Sequence, residues 1–113
     1  MLVEDHAAFR QALAFLLSRE PDLEVVAEAG SLAEANEQIE ALPQERLDVA
    51  VLDLGLPDGD GRELFGRLRR SSPAISVVVL SATIEAGHTE KVLRAGADAV
   101  LEKVEAPRPS PRR

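Results

Sequence analysis

Glu4 and Asp5 stand side by side near the start of the 113-residue chain. Asp53 closes the apolar run at residues 47–52, Ser81 closes the run at residues 75–80, and Glu102-Lys103 follow Ala99-Val100-Leu101. If these groups met, the carboxylates of Glu4, Asp5 and Asp53 would repel and raise one another's pKa unless a cation sat among them. The chain has no Cys and only two His, so thiolate chemistry and a zinc cluster are excluded and any metal must be held by oxygen. Mg2+ suits such a set, because it takes few protein oxygens and keeps waters that phosphate oxygens can replace. Lys103 offers a mobile point charge for an anion and Ser81 a hydroxyl donor. With Asp53 as a carboxylate nucleophile, the set describes a phosphoryl site.

Taken singly, each residue has an ordinary structural use. A strand-end Asp commonly bonds its own following backbone, a Ser caps a helix and a Lys is solvated. Their shared position, each just after an apolar run, points instead to one rim. His6 and His88 read as solvated. Asp58-Gly59-Asp60-Gly61 has the look of a calcium loop, but no Glu stands at the twelfth position counted from either Asp, which excludes it.

The elements that must hold these groups follow from periodicity. Phe9, Ala12, Leu13, Leu16 and Leu17 are spaced as the inner face of a first helix, which Pro21 ends. Residues 23–29 read as a Val-rich strand. Ser31-Leu32-Ala33-Glu34 forms a capping box for a second helix carrying Ala35, Ile39 and Leu42, and Pro43 stops it. The runs at 47–52 and 75–80 are nearly all apolar, as strands buried on both faces are. Asp60 caps a third helix with Leu64, Phe65 and Leu68 inward, a fourth carries Val92 and Leu93 and ends at Gly96, and residues 99–101 form the last strand. Alternation of β and α with right-handed crossovers predicts a doubly wound five-stranded parallel α/β sheet. Ligands of such sheets bind beyond the carboxyl ends of the strands, where the polar groups fall.

Length and composition bound the rest. One domain is expected over residues 1–104, with a Pro- and Arg-rich disordered tail at 105–113. With 13 Lys plus Arg against 20 Asp plus Glu, the net charge of −7 has the wrong sign for a nucleic-acid footprint. No apolar run approaches the roughly 18 residues of a membrane span, and the acidic start is unlike a secretory signal. A cytoplasmic protein without direct nucleic-acid or membrane binding is expected.

These motifs, taken in order, resemble the receiver domain of two-component response regulators over about residues 1–103. The resemblance is greatest to CheY-like receivers that precede a LuxR-type helix-turn-helix. Val3-Glu4-Asp5-His6 is similar to the acidic-pair motif and Val51-Leu52-Asp53-Leu54-Gly55-Leu56-Pro57-Asp58-Gly59 to the phosphoacceptor loop. Val79-Leu80-Ser81-Ala82 corresponds to the hydroxyl motif, and Ala95-Gly96-Ala97 with Leu101-Glu102-Lys103 to the closing motif.

The resemblance implies a flavodoxin-like strand order 2-1-3-4-5 and transfer of a phosphoryl group from a sensor histidine kinase or phosphotransfer protein to Asp53. It further implies Mg2+ held by Asp5, Asp53 and the Gly55 carbonyl, with Glu4 acting largely through water, and phosphoryl oxygens bound by Ser81 and Lys103. Signalling without enzymatic turnover follows. Three features depart from the pattern. Val100 stands where an aromatic switch residue is usual, the first strand is short, and the fifth helix and output domain are expected to be missing, which would leave a flank of strands one and five bare. That flank suggests the alternative of a phosphorylation-independent domain that self-associates as a homodimer. An aspartyl phosphatase of the haloacid-dehalogenase kind is disfavoured, because Gly55 occupies the position where that chemistry wants a second Asp.

Overall fold

The computed structural model describes residues 1–44, 46–82 and 87–103. Among them the chain runs β1 (Leu2–Val3), α1 (Ala7–Ser18), β2 (Glu28–Ala29), α2 (Leu32–Ala41), β3 (Val49–Asp53) and a hairpin of β4 (Gly55–Leu56) and β5 (Gly59–Asp60). A 3-10 turn (Gly61–Leu64), α3 (Phe65–Ser71), β6 (Ser76–Ser81), α4 (His88–Ala95) and β7 (Ala99–Glu102) follow. Five strands form one parallel sheet in the order β2-β1-β3-β6-β7, and β4 pairs antiparallel with β5. With the hairpin strands set aside, this is the expected order 2-1-3-4-5.

The sheet is sealed on one face. Val3, Ala50, Leu52, Val77 and Val79 are wholly buried and share a core with Ala35 and Ile39 of α2, Leu68 of α3 and Val92 of α4. Each large apolar side chain so buried contributes roughly 1.5–3 kcal/mol, which is what pins the strand ends in place.

The other face is only partly covered. No residue of α1 is buried, and of its expected inner face Ala12 and Leu16 are exposed, Leu16 at 60%. Phe9, Leu13 and Leu17 meet the protein at half burial, and a cleft of about 310 Å3 separates Leu17 from Leu2, Val49 and Val51. The bare flank is found at the fifth strand, as expected, but not at the first. Strand β1 is buried, whereas Val49 of β3 and Leu101 of β7 are exposed. Residues 104–113, on which the expected tail and missing fifth helix fall, are outside the described residues.

Two local expectations change. The second strand is expected over 23–29 but pairs only at Glu28 and Ala29, opposite Leu2 and Val3 of β1. The Ser31 hydroxyl caps α2 by accepting the Glu34 N–H at 3.1 Å, but the Glu34 carboxylate accepts from Gly30 N–H at 2.6 Å and not from Ser31. The reciprocal half of the box is thus shifted by one residue. At Asp60 the box is complete, with Asp60 accepting from Arg62 N–H at 2.8 Å and Glu63 from Asp60 N–H at 3.3 Å.

Gly61 is fixed by close approach. A Cβ there would lie 2.5 Å from the Asp53 carbonyl oxygen and 3.1 Å from Leu54 Cα, both backbone atoms that cannot swing aside. Gly61→Ala is therefore expected to lower stability by about 1–3 kcal/mol, the ordinary effect of overpacking. Gly55→Ala, where a Cβ meets nothing within 4 Å, should change it little. Urea melts of the two variants compare them directly; equal midpoints would show that the turn is not packed on Asp53.

Candidate functional site

Parallel pairing of β1, β3, β6 and β7 brings their carboxyl ends to one rim, and the polar residues that follow each strand meet there. Carboxylate oxygens of Glu4, Asp5 and Asp53 all lie within 4.8 Å of one another. They differ in surroundings: Glu4 is wholly buried, Asp5 exposed and Asp53 half-buried.

Lys103 enters this acidic group from β7. Its Nζ is 2.6 Å from Glu4 Oε1 and 3.2 Å from Asp53 Oδ2, and it sits 4.7 Å from the centroid of the Phe9 ring, a cation–π distance. Its backbone N–H donates to the Ser81 carbonyl at 2.7 Å, which locks the end of β7 to that of β6. Glu4 Oε2 accepts from His6 N–H at 2.8 Å, and the Glu4 carbonyl accepts from Arg10 Nη1 at 2.6 Å. Asp53 Oδ1 accepts from Gly55 N–H at 3.1 Å.

Burial pushes the Glu4 carboxyl up from its ordinary value, against the opposing pull of Lys103 and His6; the neighbouring Asp53 charge raises it further. Lys103 is held above its ordinary value: burial works against its charge, but the contacts with Glu4 and Asp53 outweigh it. Three carboxylates thus face one ammonium, leaving the pocket short of positive charge. Glu4 Oε1 also has no aligned hydrogen-bond donor among the described residues despite its ionic contact with Lys103. A hard dication with oxygen ligands fits both facts.

The expected residues Glu4, Asp5, Asp53, Gly55 and Lys103 are therefore brought together. Ser81 ends β6 one residue beyond the Leu80 that pairs with Asp53, and it is buried.

Two residues were not foreseen in these places. His88, read from the sequence as solvated, is half-buried with Nε2 2.9 Å from Ser81 Oγ. Its position seven residues after Ser81 follows no period that would announce the contact. Asp58 caps α2 from a distance, accepting from Leu32 N–H at 2.7 Å and Ala33 N–H at 3.0 Å, and these bonds hold its carboxyl below the usual range. Pro57-Asp58-Gly59 signals a turn, but nothing local names N–H donors 25 and 26 residues away. The bonds tie the loop after Asp53 to the amino end of α2, where a carboxylate is favoured.

A profile of the response regulator receiver domain matches residues 1–109. The chain is 46% identical over 80 residues to the DNA-binding transcriptional activator DevR/DosR of Mycobacterium tuberculosis, covering 71% of this chain and 36% of that protein. It spans between 36% and 49% of the length of the first three curated relatives it matches. Among solved structures it is similar to one of the P1 domain of CheA3 in complex with CheY6 from R. sphaeroides, with a TM-score of 0.76 at 30% identity, covering 91% of this chain and 79% of that one. It is also similar to a two-component response regulator of the LuxR family from Aurantimonas sp. SI85-9A1, with a TM-score of 0.74 at 31% identity over 90% of this chain and 71% of that one. The order of the parallel strands is that of a known fold, and the chain belongs to the response regulator receiver domain family.

Proposed function

We propose that Asp53 accepts a phosphoryl group from a phosphohistidine of a sensor histidine kinase or phosphotransfer protein, and that the modified domain switches a partner interaction. The observation that carries this reading is Lys103 Nζ standing between Glu4 and Asp53 within a group of three carboxylates. In the transfer, an O–P bond forms to an Asp53 carboxylate oxygen as the N–P bond of the donor imidazole breaks, and the electron pair of that bond stays on the imidazole nitrogen. Asp5, Asp53 and the Gly55 carbonyl, with Glu4 through water, would hold Mg2+, which when bound supplies charge neutralisation for the phosphoryl oxygens.

The chain's own residues do the positioning. Lys103 is already aimed at Asp53 and needs only to turn toward an incoming oxygen, where it offsets negative charge in the transfer. Ser81 supplies a hydroxyl donor for a second oxygen. Open space beside Gly55, where a Cβ would meet nothing within 4 Å, leaves a path for the donor and later for water. Release of the phosphoryl group to water ends the signal, so the domain is a phosphoacceptor and not a turnover enzyme. The reading takes residues 1–104 as the functional unit, in the cytoplasm with its phosphodonor. The surplus of negative charge argues against direct nucleic-acid binding by this chain.

Incubation with acetyl phosphate and Mg2+ should add one phosphoryl group, stable to acid and labile to base, and Asp53→Asn should add none. Intact mass spectrometry reads both. A wild-type chain left unmodified by acetyl phosphate and by every histidine kinase tried would instead favour the second reading, a phosphorylation-independent domain that self-associates. That reading draws on Phe15, Leu16, Val49 and Leu101, which leave apolar surface exposed. Sedimentation at rising concentration measures it.

A further inference from the structure

The contact between Ser81 and His88 has no part in the phosphoryl chemistry above, yet it joins the rim to a helix. His88 is the first residue of α4, and its Nε2 lies 2.9 Å from Ser81 Oγ. The preceding Gly87 has a φ of 83° and gives α4 no side-chain cap. Val92, one turn on and on the same face, is the only buried residue of α4, and Leu93 is exposed. Among the described residues, the amino end of α4 thus meets the sheet at the hydroxyl expected to bind a phosphoryl oxygen.

A serine hydroxyl has a single hydrogen to donate. With His88 in the Nδ1–H tautomer, the hydroxyl donates to Nε2 and is then not available to a phosphoryl oxygen. A charged phosphoryl acceptor makes the stronger bond. Once the hydrogen is taken, the ring must either present Nε2–H to Ser81 Oγ or leave it.

We propose that His88 is a positioning residue that shares the Ser81 hydroxyl with the phosphoryl group, so that phosphorylation at Asp53 is registered directly at the first turn of α4. This deepens the phosphoacceptor reading and rests on it. It also supplies a route that bypasses Val100, whose side chain is too short to swing between two packings. Both sites bias one element, which is what coupling between them requires.

Nitrogen-resolved NMR of the full chain tests this with beryllofluoride and Mg2+ as the probe. At saturating beryllofluoride, the His88 Nε2 resonance should shift toward a protonated-nitrogen value or lose its coupling to Ser81. The amides of residues 89–95 should move together with those of Gly55 and Lys103. In His88→Phe, the α4 response should fall at least twofold relative to the pocket response, and His88→Gln, which can both accept and donate, should restore it. A His88 ring indifferent to beryllofluoride, or an undiminished α4 response in His88→Phe, overturns the proposal alone. The ring measurement on the wild type decides the matter even if a variant fails to fold. Absence of any shift at Gly55 and Lys103 removes the phosphoacceptor reading and the proposal with it.

Discussion

In Mg2+-free buffer at pH 7, Lys103→Met is expected to be about 2–3 kcal/mol less stable than the wild type, a fall of roughly 8–12 °C in Tm for a domain of this size. Lys103 is the ammonium that touches both the buried Glu4 and Asp53, and Met keeps the length of the side chain without the charge. Removing one partner of a buried ion pair typically costs about 3–5 kcal/mol, because the other is left charged and desolvated. Here protonation sets a ceiling. An unpaired Glu4 with an ordinary value of 4.5 can be neutralised at pH 7 for about 3.4 kcal/mol, so the loss cannot exceed that by much. The cation–π contact with Phe9 adds a smaller loss.

Millimolar Mg2+ should return much of the lost stability, since the ion would take over the neutralisation that Lys103 provides. Phosphoryl acceptance should remain impaired, because the point charge aimed at Asp53 is gone. Thermal melts with and without Mg2+ read the first part and intact mass the second. A Lys103→Met protein that melts with the wild type in chelator would show that the carboxylate group does not depend on this ammonium.

The contrast between Lys103 and His88 shows which kind of residue can be read from a sequence. Lys103 was legible because it follows an apolar strand, as Asp53 and Ser81 do, and a parallel sheet must gather such positions on one rim whatever the loops do. Glu4 and Asp5 were legible for the same reason, although nothing in the sequence says that Glu4 would be the buried member and Asp5 the exposed one. That division depends on His6 N–H and Lys103 reaching Glu4 from two different segments. His88 and Asp58 act across loops, through side chains whose targets have no fixed spacing from them.

Helix α1 failed in another way. Its 3.6-residue pattern is real, but pattern states only that one side is apolar, and tertiary packing decides how much of it is covered. Leu16 of that stripe remains in solvent and Phe9, Leu13 and Leu17 are only half-buried, while the equally patterned Ile39 and Val92 are sealed against the closed face of the sheet.

Glu4→Gln should separate stability from function in the opposite direction. The folded-state pKa of Glu4 lies above its ordinary value of 4.5, so the folded chain holds that proton more tightly than the unfolded chain does. Its contribution to stability is therefore fully present below pH 4.5 and is lost as pH rises through the raised value. Asp58, Asp60 and Asp98 run the other way: backbone hydrogen bonds hold Asp58 and Asp98 below 3.8 and the Arg62 side chain does so for Asp60, so what they contribute is present above 3.8 and lost as pH falls. Those three are unchanged in Glu4→Gln, and the difference between the two proteins isolates Glu4. In chelator that difference should be near zero at pH 4 and grow to about 1 kcal/mol in favour of the Gln variant at pH 7. The gain is limited because the new amide can accept from His6 N–H but presents a donor to Lys103, which keeps only Asp53. Mg2+ affinity should fall about 10–100-fold, the usual effect of removing a charged group that orients a metal's ligands and waters. Urea melts across pH and Mg2+ titration by calorimetry measure the two effects on the same samples. A Gln variant less stable than the wild type at pH 7 in chelator would mean that Lys103 more than offsets the burial of Glu4. An unchanged Mg2+ affinity would take Glu4 out of the metal site. Both expected results together would mark Glu4 as a carboxylate whose burial weakens the metal-free fold while it strengthens the hold on Mg2+, as sites kept for function commonly do.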